Sequence, residues 1–185
     1  DPMHFDKPGI LGVGPGFSFG RAVAEAHTEW RVGLVPAAFG GSALDEWKPG
    51  GKLYTDALTR VRAALRGGKL AGILWHQGES DKAPDKVATY VPRFLAMIAQ
   101  LKSDLEAPDV PVMIGEIGHF FEGSKLVNAE LAKIPEQMVN CSLVSSDKLT
   151  EKGDHTHFDS AAQREFGQRY AAAFESILVP PVRPR

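Results

Sequence analysis

"LAGILWHQGESD" (Leu70 to Asp81) decides the fold. Its first half is a short apolar run bounded by turn residues, and its second half turns abruptly polar at His76, Gln77, Glu79 and Asp81. Such a run reads as a strand, Leu70 to Gln77, buried on both faces, as strands of parallel sheets are. Open α/β sheets place ligands beyond the carboxyl ends of their strands, so the polar cluster stands where a site is expected.

Three further runs have the same character: "WRVGLVPAA" (Trp30 to Ala38), "VPVMIGEIG" (Val110 to Gly118) and "CSLVSS" (Cys141 to Ser146). Helical periodicity separates them. Tyr54, Leu58, Val61 and Leu65 fall on one helical face, as do Val87, Val91, Phe94, Ile98, Leu101 and Leu105, with a weaker stripe at Leu126, Val127, Leu131 and Ile134. The last helix carries Phe166, Tyr170, Phe174, Ile177 and Leu178, with Ser160 and Gln163 spaced as a capping box. Strands separated by helices pair in parallel through right-handed crossovers, which predicts one three-layer α/β domain over residues 1–178. The tail "VPPVRPR" (179–185) cannot continue a helix and is expected to fray.

Composition narrows the class. The 185 residues are 43% apolar and 24% charged with a net charge of −2, so the chain lacks the basic footprint of a nucleic-acid binder. No apolar run approaches a membrane span, and "DPMHFDKPG" lacks the pattern of a signal peptide. The compartment stays open; a signal upstream of this sequence would make the protein secreted or periplasmic. The single Cys141 lies in an apolar run and reads as a structural thiol. "GVGPGFSFG" (Gly12 to Gly20) has the glycines of a dinucleotide loop but no preceding strand, so it reads as a turn into a helix starting near Pro15. "DHTH" (Asp154 to His157) has no cysteine partner or helical histidine spacing, so no metal is expected.

Three loops leave carboxyl ends of predicted strands and converge on one sheet edge. The first, "AAFGGSALDEW", brings Gly40, Gly41 and Ser42, whose backbone N–H groups serve either a tight turn or an oxyanion. The second brings His76, Gln77 and Glu79; Glu79 and Asp81 also suit the start of a helix. In the third, "TEKGDHTHFDS", Asp154 precedes His157 by three residues, letting its carboxylate reach Nδ1 and leave Nε2 facing the site. An imidazole, an orienting carboxylate and oxyanion donors are the parts of acyl transfer. His155 is expected in solvent; His4, His27 and His119 have no acidic partner at useful spacing. Trp75 is expected to be buried, and Trp47 is a candidate to line a sugar site.

On the stretches "DKPGILGVGPGFSFGRAVAE", "VPAAFGGSALDEW", "GILWHQGESD" and "GDHTHFD", the chain resembles the sialate O-acetylesterase-like branch of the SGNH hydrolases, which includes the acetyl xylan esterases of carbohydrate esterase family six. The resemblance implies a flavodoxin-like sheet, no metal or cofactor, and removal of acetyl groups from acetylated carbohydrate such as xylan or sialate. It makes His157 the general base and then acid, Asp154 its orienting partner, Gly41 N–H and the Gln77 side chain the oxyanion donors, and Glu79 a supporting or alternative acid.

One part of the pattern is absent. The family's Gly-Gln-Ser-Asn segment, which carries the nucleophilic serine at the end of the first strand, does not occur in these 185 residues. In a 2-1-3-4-5 order that strand lies between the Trp30 and Leu70 strands, so both are expected to show unpaired backbone. Three readings stand: an amino-terminal fragment supplies strand and serine as a partner, Ser42 has become the nucleophile, or the chain is an inactive carbohydrate-binding remnant.

Overall fold

The computed structural model describes residues 12–178. "DPMHFDKPG", His4 and the tail "VPPVRPR" lie outside the described residues. In chain order come α1 (Pro15–Ala26), a 3-10 turn (Leu44–Trp47), α2 (Lys52–Ala64), β1 (Ile73–Trp75), a 3-10 turn (Glu79–Asp81), α3 (Pro84–Val87), α4 (Tyr90–Asp104), β2 (Val112–Gly115), α5 (Ser124–Leu131), β3 (Cys141–Val144) and α6 (Ser160–Leu178). The strands form a parallel sheet of order β1-β2-β3, with Ile73 opposite Val112 and Val112 opposite Cys141.

Alternation along β2 divides the core into two layers. Val112 and Ile114 join Trp75, Tyr54, Phe94 and Ile98 under α2 and α4. Met113 faces the other way, toward Phe19 and Val23 of α1 and Phe166, Tyr170 and Phe174 of α6. The period of two that defines a strand thus builds both hydrophobic layers around one central element.

Gly115 ends β2 for a steric reason. A Cβ there would lie 2.0 Å from the Tyr170 hydroxyl and 2.7 Å from Phe166. The bare backbone lets Tyr170 cross the sheet and donate to the Trp75 carbonyl at 2.8 Å. Burial raises the Tyr170 phenol well above its ordinary pKa, so it stays a donor.

Three elements differ from expectation. Trp30–Ala38 pairs with no strand, and residues 31–38 make no backbone-to-backbone hydrogen bond among the described residues. Its side chains still sort as a strand's do, Val32 and Leu34 against the α1 and α6 layer and Ala37 against the other. The segment alternates half-buried Val32 and Leu34 with exposed Arg31, Gly33 and Val35, without the hydrogen-bonded neighbour that makes a strand. The paired strands are also shorter than their apolar runs, because residues beyond the shared register pack as loop. Finally, α6 is capped by Asp159, whose Oδ1 accepts the Ala162 N–H at 2.8 Å, rather than by a Ser160 and Gln163 box.

Cys141 sits partly buried on β3, as a structural thiol would. Burial pushes its pKa up to about 11, against a smaller opposing pull from Lys102. At mildly alkaline pH it should react with iodoacetamide on the order of a hundredfold more slowly than a free cysteine, since the thiolate is the reactive form. Mass spectrometry of timed aliquots checks this, with denaturant expected to restore ordinary reactivity; fast native labelling would contradict it.

Candidate active site

The loop between β3 and α6 folds back on itself. Glu151 and Phe158 form an antiparallel bridge, Lys152 N–H donates to the His157 carbonyl at 3.0 Å, and Asp159 N–H donates to the Thr150 carbonyl at 3.0 Å. The Glu151 carboxylate accepts the N–H groups of Gly153 (2.8 Å) and His155 (2.7 Å). His155 itself takes a positive φ of 55°, and its side chain is exposed as expected.

This turn presents Asp154 to His157. Oδ1 of Asp154 accepts the His157 backbone N–H at 2.8 Å, and Oδ2 lies 2.7 Å from His157 Nδ1. The two contacts engage both carboxylate oxygens and fix the imidazole with Nε2 outward. His157 Nε2 makes no hydrogen bond among the described residues, and the side chain is 64% exposed. The His157 backbone N–H, then its imidazole, then Thr156 N–H and Lys152 hold the Asp154 carboxyl well below the usual carboxylate range. Asp154 is therefore ionised wherever the histidine can act as a base. Behind the pair, Phe158 packs on Phe120, Phe166 and His76 with ring centroids 5.2, 5.3 and 5.7 Å away.

The glycine loop stands on a network that the sequence did not reveal. Gly41 adopts φ +78°, a left-handed conformation suited to glycine, and its carbonyl accepts the Ser80 hydroxyl at 2.8 Å. Gly40 is exposed beside it. Ser42 is only 5% exposed. Its hydroxyl donates to the Phe39 carbonyl at 2.8 Å and accepts the Trp47 indole N–H at 2.9 Å. A nucleophile needs an open approach and a base on its proton; Ser42 has neither, and the Ser42 alternative is not carried by this geometry. Trp47 is likewise buried under the loop and lines no exposed sugar platform.

Gln77 is 8% exposed and its polar atoms are occupied. The amide donates to the Ser42 carbonyl at 3.0 Å and to Asp81 Oδ2 at 2.8 Å, while Oε1 accepts the Tyr90 hydroxyl at 2.8 Å. Both amide hydrogens are engaged, so the carboxamide stands as a brace for the glycine loop where a free oxyanion donor was expected. Glu79 makes no hydrogen bond or ion pair among the described residues and does not bond His157, whose Nδ1 belongs to Asp154. His27 and His119, expected to lack acidic partners, have them: Glu175 at 3.0 Å and Glu116 at 3.1 Å. The first partner is distant in sequence; the second lies three residues earlier in an irregular segment. Asp81, Tyr90 and Arg93 are the site-supporting residues that sequence reasoning missed. No helix among the described residues is long and apolar enough to cross a membrane.

The class to which this parallel three-layer α/β core belongs is the carbohydrate esterases. Within it, residues 1–176 match the family described as carbohydrate esterase, sialic acid-specific acetylesterase, and the chain belongs to that family. The probable carbohydrate esterase At4g34215 of Arabidopsis thaliana is 32% identical over 182 residues, which are 95% of this chain and 69% of that protein. The X-ray structure of the Arabidopsis thaliana protein AT4G34215 superposes with a TM-score of 0.87 at 30% identity, covering 94% of this chain and 73% of that one. Two more distant structures share the fold: XAC1771, a carbohydrate acetylesterase from Xanthomonas citri (TM-score 0.70, 19% identity, 88% of this chain and 40% of that one), and NanS (TM-score 0.60, 21% identity, 71% and 55%).

Proposed function

We propose that the chain carries the proton-transfer and oxyanion parts of a carbohydrate O-acetylesterase that releases acetate from xylan-type or sialate-type sugars. The observation that carries this reading is the His157 and Asp154 pair, 2.7 Å apart with Nε2 unbonded and facing outward. In this reading a serine hydroxyl attacks the acetyl carbonyl as His157 Nε2 takes its proton. The tetrahedral oxyanion forms against Gly41 N–H, and His157 returns the proton to the departing sugar oxygen. Water then repeats the sequence on the acetyl-serine and frees acetate.

The serine is assigned to a strand seated beside β1, from a segment other than those described. Support comes from β1, which among the described residues pairs on one side only, and from residues 31–38, which alternate half-buried and exposed positions over 31–36 with no backbone partner among the described residues. Glu79, unpartnered at the same edge, is assigned to the substrate-facing surface in place of the histidine's partner.

Fluorophosphonate labelling of the full chain, alone and with any co-purifying peptide, together with acetate release from acetylated xylan and O-acetylated sialate, tests the reading. We expect an adduct on a serine other than Ser42, together with acetate release. Folded protein giving neither adduct nor acetate would overturn it. Retention on acetylated glycan without acetate release would point instead to the binding remnant.

A further inference from the structure

Asp81 is a fully buried acid, at 0% exposure, and its contacts come from three separate segments. Oδ2 accepts Leu44 N–H at 2.7 Å and the Gln77 amide at 2.8 Å; Oδ1 accepts Arg93 Nη2 at 3.3 Å. Arg93 is itself fixed from α4, donating to Asp45 Oδ1 (2.7 Å), the Lys86 carbonyl (2.8 Å) and the Thr89 carbonyl (3.2 Å). We propose that Asp81, held by Arg93, is the positioning residue that sets the Gly41 to Leu44 turn and hence the direction of the Gly41 N–H. Its catalytic consequence rests on the acetylesterase reading; its structural consequence does not.

The chain of contacts supports this link by link. Across the turn, the Gly41 carbonyl is held by Ser80, the Ser42 carbonyl by Gln77, the Ala43 N–H by Glu46 at 2.8 Å, and the Leu44 N–H by Asp81. Two of these four anchors, Ser42 through Gln77 and Leu44 directly, converge on the single oxygen Oδ2 of Asp81. Gln77 is fixed from its other end by Tyr90, whose hydroxyl also accepts the Trp75 indole N–H at 3.1 Å. Filling space needs no charge, and an apolar residue of similar volume would do so without the desolvation cost of a buried ion. What a carboxylate adds is acceptors at fixed positions, and here they fall on the segment after the exposed Gly41. Arg93 supplies the counter-charge while remaining beside an open cleft of about 400 Å³ bordered by Leu44, Lys48, Met97 and Gln100. The cleft leaves room for a lysine to reach Asp81 in its place.

The test compares Asp81→Asn, Arg93→Gln and Arg93→Lys with the unmodified full chain. Two measurements are made: steady-state hydrolysis of p-nitrophenyl acetate, and amide hydrogen exchange followed by mass spectrometry. Asparagine keeps the shape but replaces one acceptor oxygen by a donor: with its carbonyl oxygen on Leu44 and Gln77 the amide faces the Arg93 guanidinium, and turned over it takes the acceptor away from both Leu44 and Gln77. We expect kcat to fall by about ten- to hundredfold in Asp81→Asn with KM within about threefold, the range seen when groups that orient catalytic donors are removed. Arg93→Gln should show the same direction, and Arg93→Lys should recover most of the loss. Exchange should accelerate over Gly41–Leu44 by about tenfold or more while Phe166–Phe174 in α6 keeps its protection.

Loss of kcat alongside a uniform rise in exchange would assign Asp81 to general stability and overturn the proposal, as would unchanged kcat and unchanged local exchange in folded variants. If the unmodified chain hydrolyses no acetate ester, the acetylesterase reading fails, and exchange decides the positioning role alone: local loss of protection upholds it, its absence removes it. Should Asp81→Asn not fold, the Arg93 pair, which retains the carboxylate, gives the same comparison.

Discussion

Asp154→Asn should lower kcat for acetyl-ester hydrolysis by on the order of ten thousandfold and leave KM nearly unchanged. The carboxylate accepts from His157 Nδ1 at 2.7 Å and from the His157 backbone N–H at 2.8 Å. An asparagine can keep the backbone contact but can also turn its amide N–H toward Nδ1. That selects the tautomer with the proton on Nε2, where the serine's proton must go. Substrate contacts are untouched, so the loss falls on turnover. The pH profile separates the roles further. Asp154 is held well below the ordinary carboxylate range, first by the His157 backbone N–H and then by the imidazole, so it stays ionised as pH falls toward mildly acid values. Protonation of Asp154 therefore contributes no loss of activity over that range. Steady-state kinetics of the variant checks the magnitude; a decrease of less than about tenfold would remove the orienting role from Asp154.

Phe166→Ala should destabilise the fold by about 3–5 kcal/mol, a large part of what a domain of this size holds. Phe166 is fully buried, with its ring centroid 4.9 Å from Tyr170 and 5.3 Å from Phe158. It also fills the space left at Gly115, so truncation opens a cavity between α6 and the sheet that neither β2 nor Tyr170 can close. Denaturant unfolding monitored by circular dichroism gives the value. Phe166→Leu, keeping most of the volume, should lose much less. A shift under about 1 kcal/mol for the alanine variant would mean that the layer rearranges freely.

Much of the architecture was legible because it depends on local period and chain order. The apolar runs at Leu70, Val110 and Cys141 became β1, β2 and β3, and Pro15 opened α1 as its fixed φ requires. The Asp154 and His157 spacing was readable for the same reason, since a three-residue interval in a tight loop determines its own contacts. What sequence could not supply was long-range partnership. Trp30–Ala38 has every local mark of a strand, yet a strand is defined by a neighbour, and none pairs with it among the described residues. Asp81 resembled an acid at the start of a helix until Leu44, Gln77 and Arg93 closed around it, the first of them 37 residues earlier in the chain. Gln77 looked like a free donor because nothing in "WHQGESD" announces Ser42 and Tyr90 as its partners.

The self-closed turn from Glu151 to Phe158 separates two quantities that catalytic pairs usually share. Asp154 and His157 sit on the same short turn, braced by its own backbone, so their mutual geometry survives a rigid shift of the whole turn. How far the imidazole extends over the sheet is set elsewhere, by Phe158 lodged among Phe120, Phe166 and His76. The geometry of the pair and its reach are thus set separately. Replacing Phe120 or Phe166 changes how the turn is aimed, while the contact between Asp154 and His157 travels with it intact. On the acetylesterase reading, altering the aromatic seat alone shifts where His157 meets its substrate and leaves its contact with Asp154 in place.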